Sequence, residues 1–151
     1  METIKLYTVC MIVKNESILL LNRQHDSFKG YIAAGGRVEY PESPLQCAIR
    51  EAKEETGLTV RNLVFKGITE YMNPDRERYL IFNYITSDFE GDLITDSREG
   101  TPEWIPLDGL EHIEMQPNFR KRIPLFFEEG TFEIHSNRYD PEAYSEYIMR
   151  T

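Results

Sequence analysis

Three glutamates, Glu51, Glu54 and Glu55, stand at positions i, i+3 and i+4 in the run Arg50-Glu51-Ala52-Lys53-Glu54-Glu55. On a helix of about 3.6 residues per turn this spacing puts three carboxylates on one side. Like charges so close repel, and the repulsion grows if the side is partly buried. A hard divalent cation removes that penalty. Mg²⁺ takes oxygen ligands, few of them from protein and the rest from water and phosphate. Taken alone, an acidic run of this kind reads as a solvated helix face. Its setting points elsewhere, because Gly35-Gly36 precedes it, where backbone can approach a phosphate or offer a carbonyl to a metal.

The element that must carry these carboxylates is a helix over residues 44–56. Ser43 is placed to cap it, Pro44 takes the first helical position, and Gln46 completes a capping box. Leu45, Ala48, Ile49 and Ala52 recur at helical spacing as its apolar face, which the spacing sets apart from the carboxylate side. Gly57 follows as a left-handed C-terminal cap.

Strand-rich runs surround the helix. Leu6 to Val13 and Ile18 to Leu21 flank a turn at Lys14-Asn15-Glu16-Ser17 and predict a hairpin. Arg23 to Lys29 reads as a loop, and Tyr31 to Ala34 as a short strand entering Gly35-Gly36. Further strands are expected over Leu58 to Val64, Phe65 to Tyr71 and Tyr79 to Ser87, with a polar turn at Asn73 to Glu77. An acidic loop spans Asp88 to Glu99, then a short strand, Glu103 to Leu107, holds Trp104. A helical turn at Leu107 to Ile113 and a second helix at Pro117 to Glu129, broken near Pro124, come next. Thr131 to Ser136 and Ala143 to Met149 close the chain as a pair of strands. Such interleaving predicts a layered α/β domain.

The 151 residues suit one domain, 1–151, with 40% apolar and 28% charged residues. No apolar run approaches the ~18–20 residues of a membrane span, and no secretory signal is read at the N-terminus, so a cytoplasmic protein without a membrane partner is expected. Cys10 and Cys47 form no CxxC and are read as reduced thiols without a chemical role. The net charge of −9 disfavours extended nucleic acid, while a small phosphate ligand screened by metal stays compatible. His25, His112 and His135 are scattered and are not read as catalysts. No Ser or Cys nucleophile with a paired base is evident, so no covalent intermediate is expected.

The order Gly36, Glu42, Arg50, Glu51, Glu54, Glu55, Gly57, Leu58 resembles the Nudix box at every fixed position, with Ala52 and Leu58 in its apolar slots. The resemblance implies a Nudix fold, an α/β/α sandwich around a mixed β-sheet, with the box as loop–helix–loop. It implies that Glu51, Glu54 and Glu55 hold Mg²⁺ (Mn²⁺ as a substitute), with the Gly35 carbonyl as a further ligand. Glu42 and Arg50 would be structural, an ion pair fixing the loop against the helix. The wider chain is similar to the MutT-like branch, the 8-oxo-dGTP diphosphatases. By that similarity Glu99 would be an extra metal ligand or would orient water, and Arg23 would meet substrate phosphates. Asn118 would face a purine edge or else cap a helix, and Phe28 and Tyr31 would stack on the base unless Tyr31 is core. The stretch Tyr31 to Gly36 departs from MutT-like versions in lacking their Trp and Pro, and Ile32 stands where a polar residue can read the base.

The implied reaction is Mg²⁺-dependent hydrolysis of a small nucleotide, a nucleoside triphosphate going to monophosphate and pyrophosphate. Glu54 is the preferred base, with Glu51 and Glu99 as alternatives. Two other readings stand beside it: a Nudix hydrolase of another substrate (ADP-ribose, a dinucleoside polyphosphate, a capped RNA end), and a non-catalytic nucleotide sensor.

Overall fold

The computed structural model describes residues 3–25, 28–137 and 146–151. Within them the strands are β1 (Thr3–Lys14), β2 (Ser17–His25), β3 (Phe28–Ile32), β4 (Ala34–Arg37), β5 (Thr59–Arg61), β6 (Val64–Met72), β7 (Glu77–Thr86), β8 (Asp88–Glu90), β9 (Thr101–Pro106), β10 (Phe132–Asn137) and β11 (Glu146–Arg150). Helix α1 spans Pro44–Thr56 and α2 spans Pro117–Arg122, with 3₁₀ turns at Leu107–His112 and Ile123–Phe127.

Nine strands form one mixed sheet in the order β11-β10-β6-β7-β1-β2-β3, with β4 paired to β1 and β9 to β2, while β5 and β8 pair separately. β1 runs parallel to β7 and β6 parallel to β10, and the remaining pairs are antiparallel. The long β1 is the hub: β4 and β7 flank its first part, and its end turns through Asn15 into the hairpin with β2, Val13 opposite Ile18.

Side chains alternate across each strand, so β1 supplies two cores. Cys10 and Ile12 join Leu19, Ala48, Ala52, Leu58 and Val60 beneath α1. Met11 joins Ile18, Leu20, Ile123, Phe126, Phe132 and Ile134 on the opposite face. A sheet covered on both faces explains why β1 and β2 read as near-continuous apolar runs. The architecture is an α/β/α sandwich around a mixed sheet.

Several expectations are corrected. The segment read as a loop from Arg23 to Lys29 is strand at both ends, because β2 continues to His25 and β3 begins at Phe28 with Arg23 opposite Gly30. The acidic loop begins as strand β8, which covers the edge of β5. Leu45 is 42% exposed, since burial along α1 starts only at Cys47. The face of α1 that packs on the sheet is Ala48, Ala52 and Thr56, and it includes Glu55.

Candidate active site

The loop between β4 and α1 and the first turn of α1 are fixed by local bonds. Ser43 Oγ accepts from the Gln46 N–H at 3.1 Å, and Gln46 Oε1 accepts from the Ser43 N–H at 2.8 Å, completing the capping box. At the other end Gly57, with φ 86°, donates to the Lys53 carbonyl at 3.0 Å. Both caps are local, and the C-terminal end is also held by the Ile94 N–H, which donates to the Thr56 carbonyl at 2.9 Å; the orientation of the helix follows from how its carboxylates and small residues meet β1 and β4.

Arg50 ties the loop to the helix. Its Nη2 and Nε donate to Glu42 Oε1 and Oε2 at 2.7 and 2.9 Å, and Nη2 also reaches the Arg37 carbonyl at 3.2 Å. The Arg50 guanidinium and then the Glu39 N–H hold the Glu42 carboxyl at about 2, well under its ordinary range. The remaining Nη1 of Arg50 donates to Glu51 Oε1 at 2.9 Å and to Glu54 Oε2 at 3.2 Å.

Glu51 lies against bare backbone. A Cβ on Gly36 would stand 2.5 Å from the Glu51 carboxyl carbon, so only glycine leaves the carboxylate its place. Glu55 is 5% exposed and accepts from the Gly35 N–H at 3.0 Å. Burial first, then the charges of Glu51 and Glu99, push the Glu55 carboxyl far above the usual carboxylate range, against the Gly35 N–H. The expectation that the carboxylate side stands apart from the apolar face therefore holds for Glu51 and Glu54 only. Glu55 shares the buried face because it lies three residues from Ala52 and seven from Ala48.

Glu99 comes from the loop before β9. Ser97 Oγ donates to the Gly100 carbonyl at 2.7 Å and accepts from the Glu99 N–H at 3.2 Å. Gly100, at φ 126°, passes so close to β2 that a Cβ would stand 2.5 Å from the Asn22 carbonyl oxygen. This approach sets Glu99 Oε2 3.6 Å from Arg23 Nη1.

These groups share one cleft of about 980 Å³, lined by Arg23, Gly35, Gly36, Arg50, Glu51, Glu54, Glu55 and Glu99. Glu54 is the most open of the helix acids, its side chain 52% exposed. Among the described residues no three His, Cys, Asp or Glu side chains form a closed metal cage. Arg50 engages Glu51 and Glu54, and Gly35 engages Glu55. The donor set nevertheless suits Mg²⁺, which uses one or two carboxylates and completes its shell from water and phosphate. The Glu51 charge raises the Glu55 carboxyl, and a cation between carboxylates that disfavour one another's ionisation would relieve that repulsion.

Other expected site residues lie elsewhere. Tyr31 is not a cleft residue: it packs against the core, and its hydroxyl donates to Glu103 at 3.2 Å. Asn118 does not line the cleft and does not cap α2; Gln116 holds the cap position, and Asn118 sits inside the first turn. The Phe28 side chain lies outside the described residues. Ile32 does line the cleft. Sequence reading missed Tyr7, Ile81, Phe119 and Arg122, which also line the cleft and add two aromatic rings, an apolar side chain and a guanidinium to it. Only their placement on β1, β7 and α2 reveals them, since no local spacing links them. Cys10 and Cys47 are buried and free, with Cys47 Sγ donating to the Arg37 carbonyl at 3.3 Å.

Comparison with known proteins agrees with this geometry. The chain is similar to the 8-oxo-dGTP diphosphatase of Escherichia coli, 32% identical over 118 residues, 75% of this chain and 89% of that protein. It is similar to an uncharacterized Nudix hydrolase, YvcI, of Bacillus subtilis, 25% identical over 89% of this chain and 94% of that one. The crystal structure of a mutator MutT protein from Bacillus halodurans superposes with a TM-score of 0.83 at 26% identity, covering 95% of this chain and 97% of that one. The family model described as NUDIX domain matches residues 5–126, so the chain belongs to the Nudix family, as a MutT-like hydrolase.

Proposed function

We propose that this protein hydrolyses a nucleoside triphosphate, with oxidised purines such as 8-oxo-dGTP as first candidates, to the monophosphate and pyrophosphate. The reading is carried by four carboxylates and Arg23 lining one cleft beside the Gly35-Gly36 backbone. The similarity to the Escherichia coli 8-oxo-dGTP diphosphatase supports the substrate class.

Glu51, Glu54, Glu55 and Glu99 are the residues that would hold Mg²⁺ (or Mn²⁺), with the Gly35 carbonyl beside them. When bound, the cation acidifies water and neutralises phosphoryl charge. The protein's own part is positional. Arg50 and Gly35 orient the carboxylates, and Arg23 meets the phosphates with a planar donor. Glu54, open to the cleft, accepts the proton of the attacking water. A new P–O bond forms between that water and a phosphorus of the α–β anhydride, the bridging P–O bond breaks with its electron pair going to the departing phosphate oxygen, and monophosphate and pyrophosphate separate. Two buried free thiols fit a reducing compartment, the ground for placing the activity in the cytoplasm.

The test is a Mg²⁺-dependent turnover screen of normal and oxidised nucleoside triphosphates with product identification. Pyrophosphate and a monophosphate are expected. Products such as AMP and ribose phosphate, with no triphosphate cleaved, would replace this substrate class. That second reading, another nucleoside diphosphate compound at the same carboxylates, is favoured by Ile32 in the cleft and by the absence of Asn118 from it.

A further inference from the structure

The two ends of the mixed sheet differ. At one end lies β3, whose Tyr31 N–H donates outward to the Glu114 carbonyl at 2.8 Å, so the chain itself engages that edge. At the other end lies β11, the five residues Glu146-Tyr147-Ile148-Met149-Arg150. Just beyond it, Thr151 and Thr131 exchange both backbone hydrogen bonds, at 2.7 and 3.2 Å. Antiparallel strands alternate bonded and non-bonded pairs, so Met149 and Tyr147 turn their backbone groups toward Glu133 and His135 of β10. Glu146, Ile148 and Arg150 turn theirs outward, where no strand pairs with them among the described residues.

An open row of donors and acceptors templates pairing, and edge strands are commonly guarded against it by Lys, Pro or a bulge. β11 contains no Lys or Pro and pairs with β10 residue for residue, without a bulge. Its side chains are open as well, Tyr147 at 59%, Ile148 at 38% and Met149 at 46%. Its two charges lie symmetrically about Ile148, Glu146 before it and Arg150 after it. Two such strands laid antiparallel about Ile148 set each Glu146 opposite the Arg150 of the other copy, whereas an in-register parallel pair sets like charge beside like. The net charge of −9 makes most of the surface repel a second copy, but this strand is neutral and complementary to itself in that one arrangement. Arg150, now paired with Glu128, keeps its side chain 64% exposed and within reach of a neighbour.

We propose that β11 is a self-association edge, where a second copy of this chain pairs its own β11 antiparallel about a two-fold axis at Ile148 and joins the two sheets into one. Ile148 exchanges two backbone hydrogen bonds with its counterpart, and each Glu146 exchanges two with the Arg150 of the other copy, about six bonds in all. On one face of the joined strands Ile148 meets Ile148. On the other face Tyr147 meets Met149 twice, an aromatic–sulfur contact. The same patch serves both copies, so the assembly closes at two. Five residues make a smaller contact than the ~800 Å² per partner of a standard interface, so the dimer is a reversible one. Nothing in this inference depends on the substrate.

The experiment is sedimentation of the full chain across the micromolar range, where the mass is expected to rise from monomer to dimer. Ile148→Pro removes an N–H that points outward and leaves the ladder with β10 its bonds. It is expected to raise the dimer Kd by about 10–100-fold, the scale of two lost hydrogen bonds. Arg150→Glu sets acid opposite acid and should also weaken the dimer, more at low salt than at high. Register is read with Tyr147→Cys and Met149→Cys, two proteins mixed under oxidised glutathione, which takes up the two electrons of each disulfide. The mixture should cross-link between copies. Either variant alone should not, because equivalent positions then lie beyond the ~7 Å Cα limit of a disulfide. If Ile148→Pro does not fold, Arg150→Glu and the cysteine mixture still decide. A monomer at every concentration overturns the proposal. So does a dimer that folded Ile148→Pro and Arg150→Glu leave equally tight, or cross-linking as efficient in one cysteine variant alone as in the mixture.

Discussion

Arg50 and Glu42 close a two-point ion pair, Nη2 to Oε1 at 2.7 Å and Nε to Oε2 at 2.9 Å, that leaves Nη1 to hold Glu51 and Glu54. One guanidinium thus connects the loop before the helix to two cleft carboxylates. Glu42 does not line the cleft, yet it decides where Arg50 stands.

An acid-stability prediction follows from the sign of that interaction. The folded carboxyl of Glu42 sits near 2 against an ordinary 4.5, so its contribution is complete above about 4.5 and disappears as pH falls toward about 2. Glu42→Gln should flatten the fall of Tm across that window, read by thermal melts at stepped pH. Parallel Tm slopes in the two proteins would show that the pair contributes nothing.

Turnover tests the proton acceptor. Glu54→Gln keeps the shape of the side chain and its place on an exposed helix turn while removing its basicity. A fall in kcat of about 100-fold or more at saturating Mg²⁺ is expected, the scale of losing general-base assistance. Full activity in this variant would move the role to Glu51 or Glu99.

Metal binding has a readout that needs no substrate. Four acids repel one another in the cleft, so Mg²⁺ should raise Tm, by about 5–10 °C when its concentration is some 100 times Kd. Glu55→Gln should lose most of that shift. An equal Mg²⁺ shift in both proteins would remove Glu55 from the metal set.

What could be read from sequence follows the range of the contacts. The α1 caps at Ser43, Gln46 and Gly57 are local, and their spacing is enough to predict them. The Glu42–Arg50 pair spans eight residues but belongs to a fixed motif. The direction of the helix is different. Leu45 is apolar and in phase, yet it stays exposed, whereas Glu55 goes under because its neighbours on that face are alanines. Periodicity reports a face, and tertiary packing decides where the face begins and ends. Asn118, Tyr31 and Arg122 make the same point about the cleft. Their places depend on β1, β7 and α2 meeting across the fold, and Arg122 meets Glu146 24 residues further on. No window of sequence contains that meeting.

The Gly35-Gly36 pair separates folding from chemistry. A Cβ on Gly35 would overlap the Thr8 carbonyl oxygen, a backbone atom of the hub strand that cannot move without breaking the β1–β4 ladder. The three atoms nearest a Cβ on Gly36 would all belong to the Glu51 carboxylate, with Oε1 at 2.5 Å and Oε2 at 2.9 Å. That carboxylate is the end of a side chain and can swing away, but Arg50 then loses its 2.9 Å partner and the cleft acids lose their arrangement. Gly35→Ala should therefore lower Tm sharply. Gly36→Ala should keep Tm within a few degrees and lose about 100-fold in kcat/KM, the cost of misplacing a catalytic group by about 1 Å. Full kcat/KM in a folded Gly36→Ala protein would mean that the position of Glu51 does not matter to the reaction.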